Sequence, residues 1–481
     1  MKEEDKSAIV DRPNIVLINV DDLGWTDAAT LSSDFYETPN IDRLAANGMK
    51  FSQCYAAAAL CSPTRASIMT GKYPARLGIT DWIRAVFQPG GKPKDRPTSG
   101  KNPEGFWAQG GEDAPFLVPY NPLWMELEET TIAELLRDAG YRTGHIGKWH
   151  LGADGYEPQD QGFEINIGGC DFGEPPSYFD PYTRGPLPEY DYDSIPGIPH
   201  LPPRKTGEYL TDREADEATG FIKNGKRPFF LHLCHYAVHV PLQAKNSLIE
   251  KYRNKPKGDR HKNATYAAMI ESVDQSLGKV VQALMDIDQL ENTIIIFTSD
   301  NGGLAKGNVT NNYPLRSGKG FPFEGGLRIP LIVQWPGKIA PSRTSDIVLN
   351  TVDFLPTICA LTDVSLPAET TIDGVSFASH LLGTSHEEVR TTSIWHYPHY
   401  RLWDNLSPYS IIRKGNMKLI KSYEHPIRYE LYDLKNDISE KNNLARARPE
   451  EVERLAMELD AELKQMHARF PIENPRFQPL Q

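Results

Sequence analysis

The sequence predicts an α/β protein with a mostly parallel sheet sandwiched by helices, followed by a smaller α+β domain containing an antiparallel sheet. Residues 14–20 form a continuous apolar run rich in β-branched side chains, which is typical of a buried parallel strand. Residues 265–287 show helical periodicity, and 293–298 follow as another apolar strand. Strands that alternate with helices favour a parallel sheet covered on both faces.

Local signals place further elements along the first part of the chain. Thr38 followed by Pro39 predicts a helix start with the threonine as N-cap. Thr131 and Glu134 have the spacing of a capping box, which predicts a second helix start. Short strands are expected over 141–146 and 229–234.

We expect two domains, residues 10–375 and residues 376–481. The second contains turn-flanked strand patterns near 410–421 and 429–433, which favour antiparallel pairing. Residues near 449–467 form a closing amphipathic helix.

Composition and charge exclude some classes of partner. The chain has 481 residues and a net charge of −12, which argues against nucleic acid as a ligand. No apolar run is long enough to cross a bilayer. The first residues lack the apolar core of a signal peptide, so both a cytoplasmic protein and a secreted one with its signal removed stay open. The five cysteines show no metal-binding spacing, and composition leaves the oligomeric state open.

Adjacent oxygen side chains follow two of the predicted strands. Asp21 and Asp22 come after the first strand, and Asp300 and Asn301 come after the strand at 293–298. Ligands of open α/β sheets bind at the carboxyl ends of strands, and converging carboxylates need a cation between them. Oxygen-only ligands favour Ca²⁺ or Mg²⁺. Each pair taken alone could instead cap the next turn.

Cys61 precedes a short predicted helix. Pro63 stands where a helix can begin and Gly71 where it ends, so Cys61 faces a helix N-terminus, which favours an anion. Arg65 lies about one turn further and could reach the same place. The alternative is a buried thiol before an ordinary helix.

These motifs together resemble the type I sulfatase family. The sequence Cys-Ser-Pro-Thr-Arg at 61–65, with Thr-Gly at 70–71, is similar to the sulfatase signature, with Thr64 where the family often has serine. The resemblance covers nearly the whole chain in order. Its other segments are 14–24, 140–150, 299–302, 318–330 and 436–444.

The resemblance implies an alkaline phosphatase-like fold and a modified nucleophile. In that family a separate maturation enzyme oxidises the cysteine to formylglycine, whose hydrate attacks sulfur and forms a covalent sulfo-enzyme. The resemblance therefore implies conversion of Cys61 to formylglycine. It also implies Ca²⁺, or Mg²⁺, bound by Asp21, Asp22, Asp300, Asn301 and residue 61.

Basic side chains complete the implied site. Lys148 and Lys319 would hold sulfate oxygens, and His150 would take a proton from the nucleophile's second hydroxyl. Lys148 and His150 are two residues apart, so on an extended segment they would share a face. His239 would protonate the leaving alcohol, and nearby His235 is the alternative. The implied catalytic residues are Cys61, Arg65, Lys148, His150, His239 and Lys319.

The resemblance to arylsulfatases and N-acetylgalactosamine-sulfatases implies a sulfated saccharide substrate, with exo-removal of O-sulfate from a galactose-type sugar. Such a protein would be periplasmic or secreted. Two alternatives stay open: a phosphonate or phosphodiester hydrolase of the same superfamily, and an inactive protein that binds sulfated glycans. Aromatic and basic side chains suit a sugar ring. The candidates for substrate binding, partly from the second domain, are Trp82, Arg84, His396, His399 and Arg401.

Overall fold

The computed structural model describes residues 12–83, 101–185, 197–201, 205–225 and 227–478. Strands β1 to β15 are, in chain order, Asn14–Val20, Met49–Tyr55, Phe106–Trp107, Phe116–Pro119, Arg142–Gly147, Ile165–Ile167, Phe229–His235, Thr293–Ser299, Arg328–Gln334, Arg343–Asn350, Thr392–Tyr397, Tyr409–Lys414, Met417–Ser422, Arg428–Asp433 and Ile472–Glu473. Helices α1 to α11 are Pro39–Ala46, Cys61–Thr70, Pro74–Leu77, Ile132–Asp138, Leu210–Lys223, Asn246–Asn254, Ala264–Asp286, Glu324–Leu327, Phe354–Leu361, Ala378–Leu381 and Pro449–Gln465.

An eight-stranded sheet forms the centre of the molecule, in the order β10-β2-β9-β8-β1-β7-β5-β6. Its neighbours pair in parallel except β9, which is antiparallel to both β2 and β8. The mostly parallel sheet that the sequence predicts is therefore confirmed. The antiparallel strand β9 was not expected, because its apolar run reads like that of any buried strand.

Helices cover both faces of this sheet, as the alternation of side chains along β1 shows. Val16, Ile18 and Val20 pack into one apolar cluster, which contains residues of α5 and α7. Ile15 and Leu17 point to the opposite face, toward α2, α4 and α9. All seven residues of β1 are buried, as expected for a strand with helices on both sides.

The predicted helix starts differ in how they are capped. Thr131 and Glu134 form the expected capping box at α4. Thr38 precedes α1, but its hydroxyl makes no N-cap bond and donates to Asp42 instead.

Within the described residues, no helix combines the length and apolar character needed to span a membrane.

A second, antiparallel sheet has the order β11-β12-β13-β14 and confirms the predicted C-terminal sheet. Helix α11 packs on it through Leu455, Leu459 and Leu463, which join one apolar cluster with Leu419. Phe377 packs against Phe51 in the core of the large sheet, with ring centroids 5.8 Å apart. The boundary at 375/376 stays a prediction.

A buried ionic cluster joins the two sheets. Lys418 on β13 lies 3.0 Å from Glu324 and 2.8 Å from Glu440, and all three side chains are buried. The backbone N–H of Glu324 also donates to Glu440, at 2.7 Å. Since Glu324 begins α8, five residues after Lys319, the cluster ties the segment that follows Lys319 to the second sheet.

Replacing Lys418 by Met should therefore destabilise the protein strongly. Two buried carboxylates would lose their shared cation, and breaking such a buried ionic group costs about 3–5 kcal/mol of unfolding free energy. Lys414→Met is the matched control on the same sheet, because Lys414 is 43% exposed in its pair with Glu458. Its loss should stay below about 1 kcal/mol. Denaturant unfolding measures both, and equal losses would contradict this interpretation.

Candidate active site

Two neighbouring strands deliver the acidic side chains to one place. Strand β1 pairs in parallel with β8, and Val20 lies opposite Ser299, so the residues that follow emerge side by side. The backbone N–H of Asp22 donates to Asp300 Oδ1 at 3.2 Å, and Asn301 Nδ2 donates to Asp22 Oδ1 at 2.7 Å. Asp21, Asp22, Asp300 and Asn301 thus converge as the sequence predicts, and all are buried.

The oxygen atoms of this group fit a divalent cation. Asp21 Oδ1 and Asn301 Oδ1 are buried and make no hydrogen bond to the described residues. Burial and the neighbouring Asp300 raise the pKa of Asp21 to about 8. The positive groups around Asp21 therefore do not fully balance the negative charge of its ionised carboxyl. Ligand-type atoms of Asp21, Asp22, Cys61 and His239 lie within 4.8 Å of one another. Mostly oxygen donors suit a hard cation.

Cys61 is the first residue of α2, and all ten residues of that helix are buried. Its side chain therefore lies where backbone N–H groups favour an anion. Burial nevertheless raises the pKa of the Cys61 thiol to about 11, although Lys148 and Lys319 oppose this. A thiol with that pKa is protonated near neutral pH, so unmodified Cys61 is a poor nucleophile.

Three cations surround residue 61 and the acidic group. Lys148 Nζ lies 2.6 Å from Asp21 Oδ2, and Lys319 Nζ lies 2.7 Å from Asp22 Oδ1. Arg65 pairs with Asp300 at 2.7 Å and donates to the carbonyl of Lys148 at 2.8 Å. The local positive charge that an anionic substrate needs is therefore present in a chain of net charge −12.

The structure separates the two candidate histidines. His239 Nε2 lies 3.6 Å from Asp22 Oδ2, whereas His235 pairs with Glu214 at 2.6 Å and contacts Ser276 at 2.9 Å. His235 is thus occupied in the core, and His239 belongs to the site. Burial and Lys319 lower the pKa of His239 to about 3, so its imidazole is neutral in the ligand-free site.

His150 reaches the site by a bent backbone. Its φ is +64°, in the left-handed region, so the segment with Lys148 is not the regular extended one that the spacing argument assumed. The hydroxyl of Ser62 donates to the His150 carbonyl at 2.9 Å and accepts from the Ile83 N–H at 2.9 Å. These bonds hold His150 beside residue 61.

The proposed substrate-binding residues fall into different places. His396 contacts Ser410 at 2.7 Å and the carbonyl of Arg469 at 3.1 Å, so both of its ring nitrogens already make polar contacts within the protein. His399 is buried and contacts Thr80 at 2.8 Å. Arg401 is buried and Trp82 is partly exposed. Arg84 lies outside the described residues.

A second cluster of metal-type side chains lies in the core between β5 and β7, and sequence spacing did not reveal it. Cys234 Sγ is 2.9 Å from His232 Nε2, and the Nδ1 atoms of His232 and His145 are 3.2 Å apart. His145 Nε2 contacts the carbonyl of Gly147 at 3.1 Å. If both histidines are neutral, one choice of ring tautomers gives each of these contacts one donor and one acceptor. We therefore interpret the cluster as a chain of hydrogen bonds.

The Sulfatase family model matches residues 13–364. The chain belongs to the sulfatase family. A model for the C-terminal region of N-sulphoglucosamine sulphohydrolase also matches residues 317–469. The resemblance seen in the motifs is therefore confirmed, and the chain is a sulfuric ester hydrolase with the type I sulfatase fold. Family membership implies a bound metal and formylglycine-type activation as general features.

Relatives and solved structures cover most of the chain. A sulfatase of Formosa agariphila is 32% identical over 91% of this chain and 85% of its own length. Human arylsulfatase A is 30% identical over 91% of this chain and 84% of its own length. The structure of Ps i-CgsB in complex with k-i-k-neocarrahexaose superposes with a TM-score of 0.75 and 28% identity, covering 94% of this chain and 93% of that one.

A divalent cation should stabilise the folded protein through the acidic group. After treatment with a chelator, adding Ca²⁺ at about 100 times its Kd should stabilise it by roughly 2.7 kcal/mol, seen as a higher melting temperature. Asn301→Ala should abolish most of this shift, because it removes a buried oxygen with no other partner among the described residues.

Asn311→Ala is the matched control, since Asn311 is an exposed asparagine of the same region. It should keep the full shift. A shift of the same size in the Asn301 and Asn311 variants would show that the cation binds elsewhere.

Proposed function

We propose that this sulfatase removes O-sulfate from a sugar by exo-action, with residue 61 as formylglycine and Ca²⁺ bound by Asp21, Asp22, Asp300 and Asn301. The observation that carries the proposal is the convergence on residue 61. Its sulfur lies at a helix N-terminus and within 4.8 Å of ligand atoms from Asp21, Asp22 and His239. The high pKa of the Cys61 thiol supports a modified nucleophile.

The metal is proposed as Ca²⁺ because the donors are carboxylate and amide oxygens from two strand ends, together with residue 61. Ca²⁺ accepts many oxygen ligands in a flexible geometry, whereas Mg²⁺ demands a near-ideal octahedron. The same oxygen set would hold Mg²⁺ less favourably. A melting-temperature series with both ions compares them directly.

Each cation near residue 61 has a role in the reaction. When present, the metal offsets charge on the sulfate group, and the formylglycine hydrate supplies the attacking hydroxyl. Lys148 and Lys319 bind sulfate oxygens and so balance the charge that shifts during the reaction. Arg65 pairs with Asp300 and holds the loop of Lys148 through its carbonyl.

Two histidines are assigned the proton transfers of the proposed reaction. His239 donates a proton to the oxygen of the leaving alcohol. The negative charge of a bound sulfate ester favours the protonated imidazole, against the burial that lowers its pKa in the ligand-free site. His150, held next to residue 61 by Ser62, accepts the proton that is released when sulfate leaves.

The proposal of a sugar substrate rests on two side chains of this protein and on one similar solved structure. Arg401 and Trp82 come from two different regions and could contact a sugar ring. Ps i-CgsB, with 28% identity, was solved in complex with k-i-k-neocarrahexaose. We infer a periplasmic or secreted location, since sulfated polysaccharides lie outside cells, and we infer a separate maturation enzyme as a partner.

Activity on matched esters tests the proposal. Sugars carrying a single sulfate at position 2, 4 or 6 should be screened together with the sulfate and phosphate esters of one phenol. The proposal expects turnover of at least one sugar sulfate, and slower turnover of the phosphate than of the sulfate. Faster phosphate hydrolysis would favour the phosphodiesterase alternative. Activity restricted to lipid or steroid sulfates would contradict the sugar substrate.

His239→Asn should affect poor leaving groups most. A general acid contributes roughly 10²- to 10⁴-fold, and 4-nitrophenol leaves without a proton whereas a sugar alkoxide does not. We therefore expect a much larger loss of kcat on the sugar sulfate than on 4-nitrophenyl sulfate. His200→Asn is the control, since His200 is 37% exposed and pairs with Glu157. Equal losses on both substrates in the His239 variant would exclude the general-acid role.

A further inference from the structure

The guanidinium of Arg401 packs against the backbone of the residue that follows Lys319. A Cβ on Gly320 would lie 1.2 Å from Arg401 Nη1, so this nitrogen rests directly on the backbone next to Lys319. The N–H of Gly320 donates to the carbonyl of Ala59 at 2.8 Å, two residues before Cys61. The guanidinium is therefore adjacent to segments that carry two of the proposed catalytic groups.

The orientation of Arg401 is set from its other side. Asp404 Oδ2 lies 2.6 Å from Arg401 Nε, and Asp404 Oδ1 lies 2.8 Å from Lys306 Nζ. Arg401 is only 9% exposed, yet its Nη1 has no hydrogen-bond partner among the described residues. A buried donor of this kind is costly unless a ligand completes it, which points to a ligand oxygen.

Asp81 lies near Arg401, on the segment before Ile83. Thr80 contacts His399 at 2.8 Å, so the backbone of Asp81 lies beside the segment that leads to Arg401. Burial raises the pKa of Asp81 to about 7, against the opposing effects of the Trp82 N–H and of Arg401. The next residues reach the site itself, because the N–H of Ile83 donates to Ser62.

Both cations of this wall are already paired. In the part of the chain that the structure describes, Asp404 pairs with Arg401 and with Lys306. A second sulfate or a carboxylate on the substrate would need a cation that is not already paired. Hydroxyl groups need only a donor and an acceptor, which Arg401 and Asp81 supply.

An exposed aromatic side chain lies at the outer edge of this wall. Trp403 is 60% exposed, and the guanidinium carbon of Arg401 lies 5.7 Å from the centre of its ring. An exposed indole beside polar side chains offers a flat apolar face. The C–H face of a sugar ring can pack against such a face.

We propose that Arg401 and Asp81, with Asp404 positioning the arginine, form a subsite for the hydroxyl groups of an otherwise uncharged sugar, and that Trp403 stacks against a sugar ring. The proposal rests on the sugar sulfatase activity inferred above and specifies its substrate. The enzyme therefore prefers a neutral sugar with a single sulfate over one that also carries a carboxylate or a second sulfate on the same ring.

Substrate comparison in variants tests this subsite. Arg401→Gln and Asp81→Asn should each lower kcat/KM on the best monosulfated sugar roughly 10- to 100-fold more than on 4-nitrophenyl sulfate, which lacks sugar hydroxyls. Arg428→Gln is the control for Arg401, because Arg428 is an arginine of the C-terminal sheet that is 57% exposed. It should leave the ratio of the two activities unchanged.

Trp403→Ala should raise KM for the sugar with little change in kcat. Leu402→Ala is its matched control, because the neighbouring Leu402 is 59% exposed. It should leave KM unchanged.

The outcomes separate this subsite from the sulfatase activity. Equal losses on both substrates in the Arg401 and Asp81 variants would overturn the subsite and leave the sulfatase activity intact. The subsite would also be overturned if the wild-type kcat/KM were higher on a disulfated sugar or a sulfated uronic acid than on every neutral sugar with a single sulfate. Failure of the wild type, with residue 61 converted, to hydrolyse any sugar sulfate would overturn the proposed function and the subsite together.

Discussion

Three carboxylates buried at the ends of two adjacent parallel strands are the constraint on which the rest of the site depends. The register of β1 against β8 forces Asp21, Asp22 and Asp300 into one space from which water is excluded. Charges of one sign cannot be buried together without compensation. The positions of Arg65, Lys148 and Lys319 follow from this requirement, as does the proposed metal.

The segment that carries residue 61 is held in place by burial and by hydrogen bonds. Helix α2 is buried along its whole length, and its first turn is fixed by Ser62, which bridges Ile83 and His150. Lys319 comes from the loop between β8 and β9, and the Glu324, Lys418 and Glu440 cluster anchors the helix that follows it. The second sheet thus contributes to the candidate site by holding the segment that follows Lys319.

Sequence reasoning succeeded where a short segment determines its own structure. The apolar runs located β1 and β8, and the polar pairs after them met because parallel strands end at the same edge. The motif around Cys61 predicted a helix that begins at Pro63, and the observed helix begins two residues earlier, at Cys61.

Sequence reasoning failed where contacts between residues far apart in the chain determine the local structure. The left-handed backbone of His150 depends on its tertiary surroundings, and His396 is held by Ser410 and Arg469 within packing that spacing cannot reveal. Asp81 and Arg401 lie 320 residues apart in the chain, so no local pattern joins them.

The central claim is that residue 61 works only as formylglycine beside the acidic group. The most direct measurement compares preparations made with different amounts of maturation enzyme. Mass spectrometry of the peptide containing residue 61 gives the converted fraction, and sulfate release gives the specific activity. We predict that activity rises in proportion to the converted fraction and extrapolates to zero in fully unconverted protein. Substantial turnover by protein in which Cys61 is entirely unmodified would contradict the account.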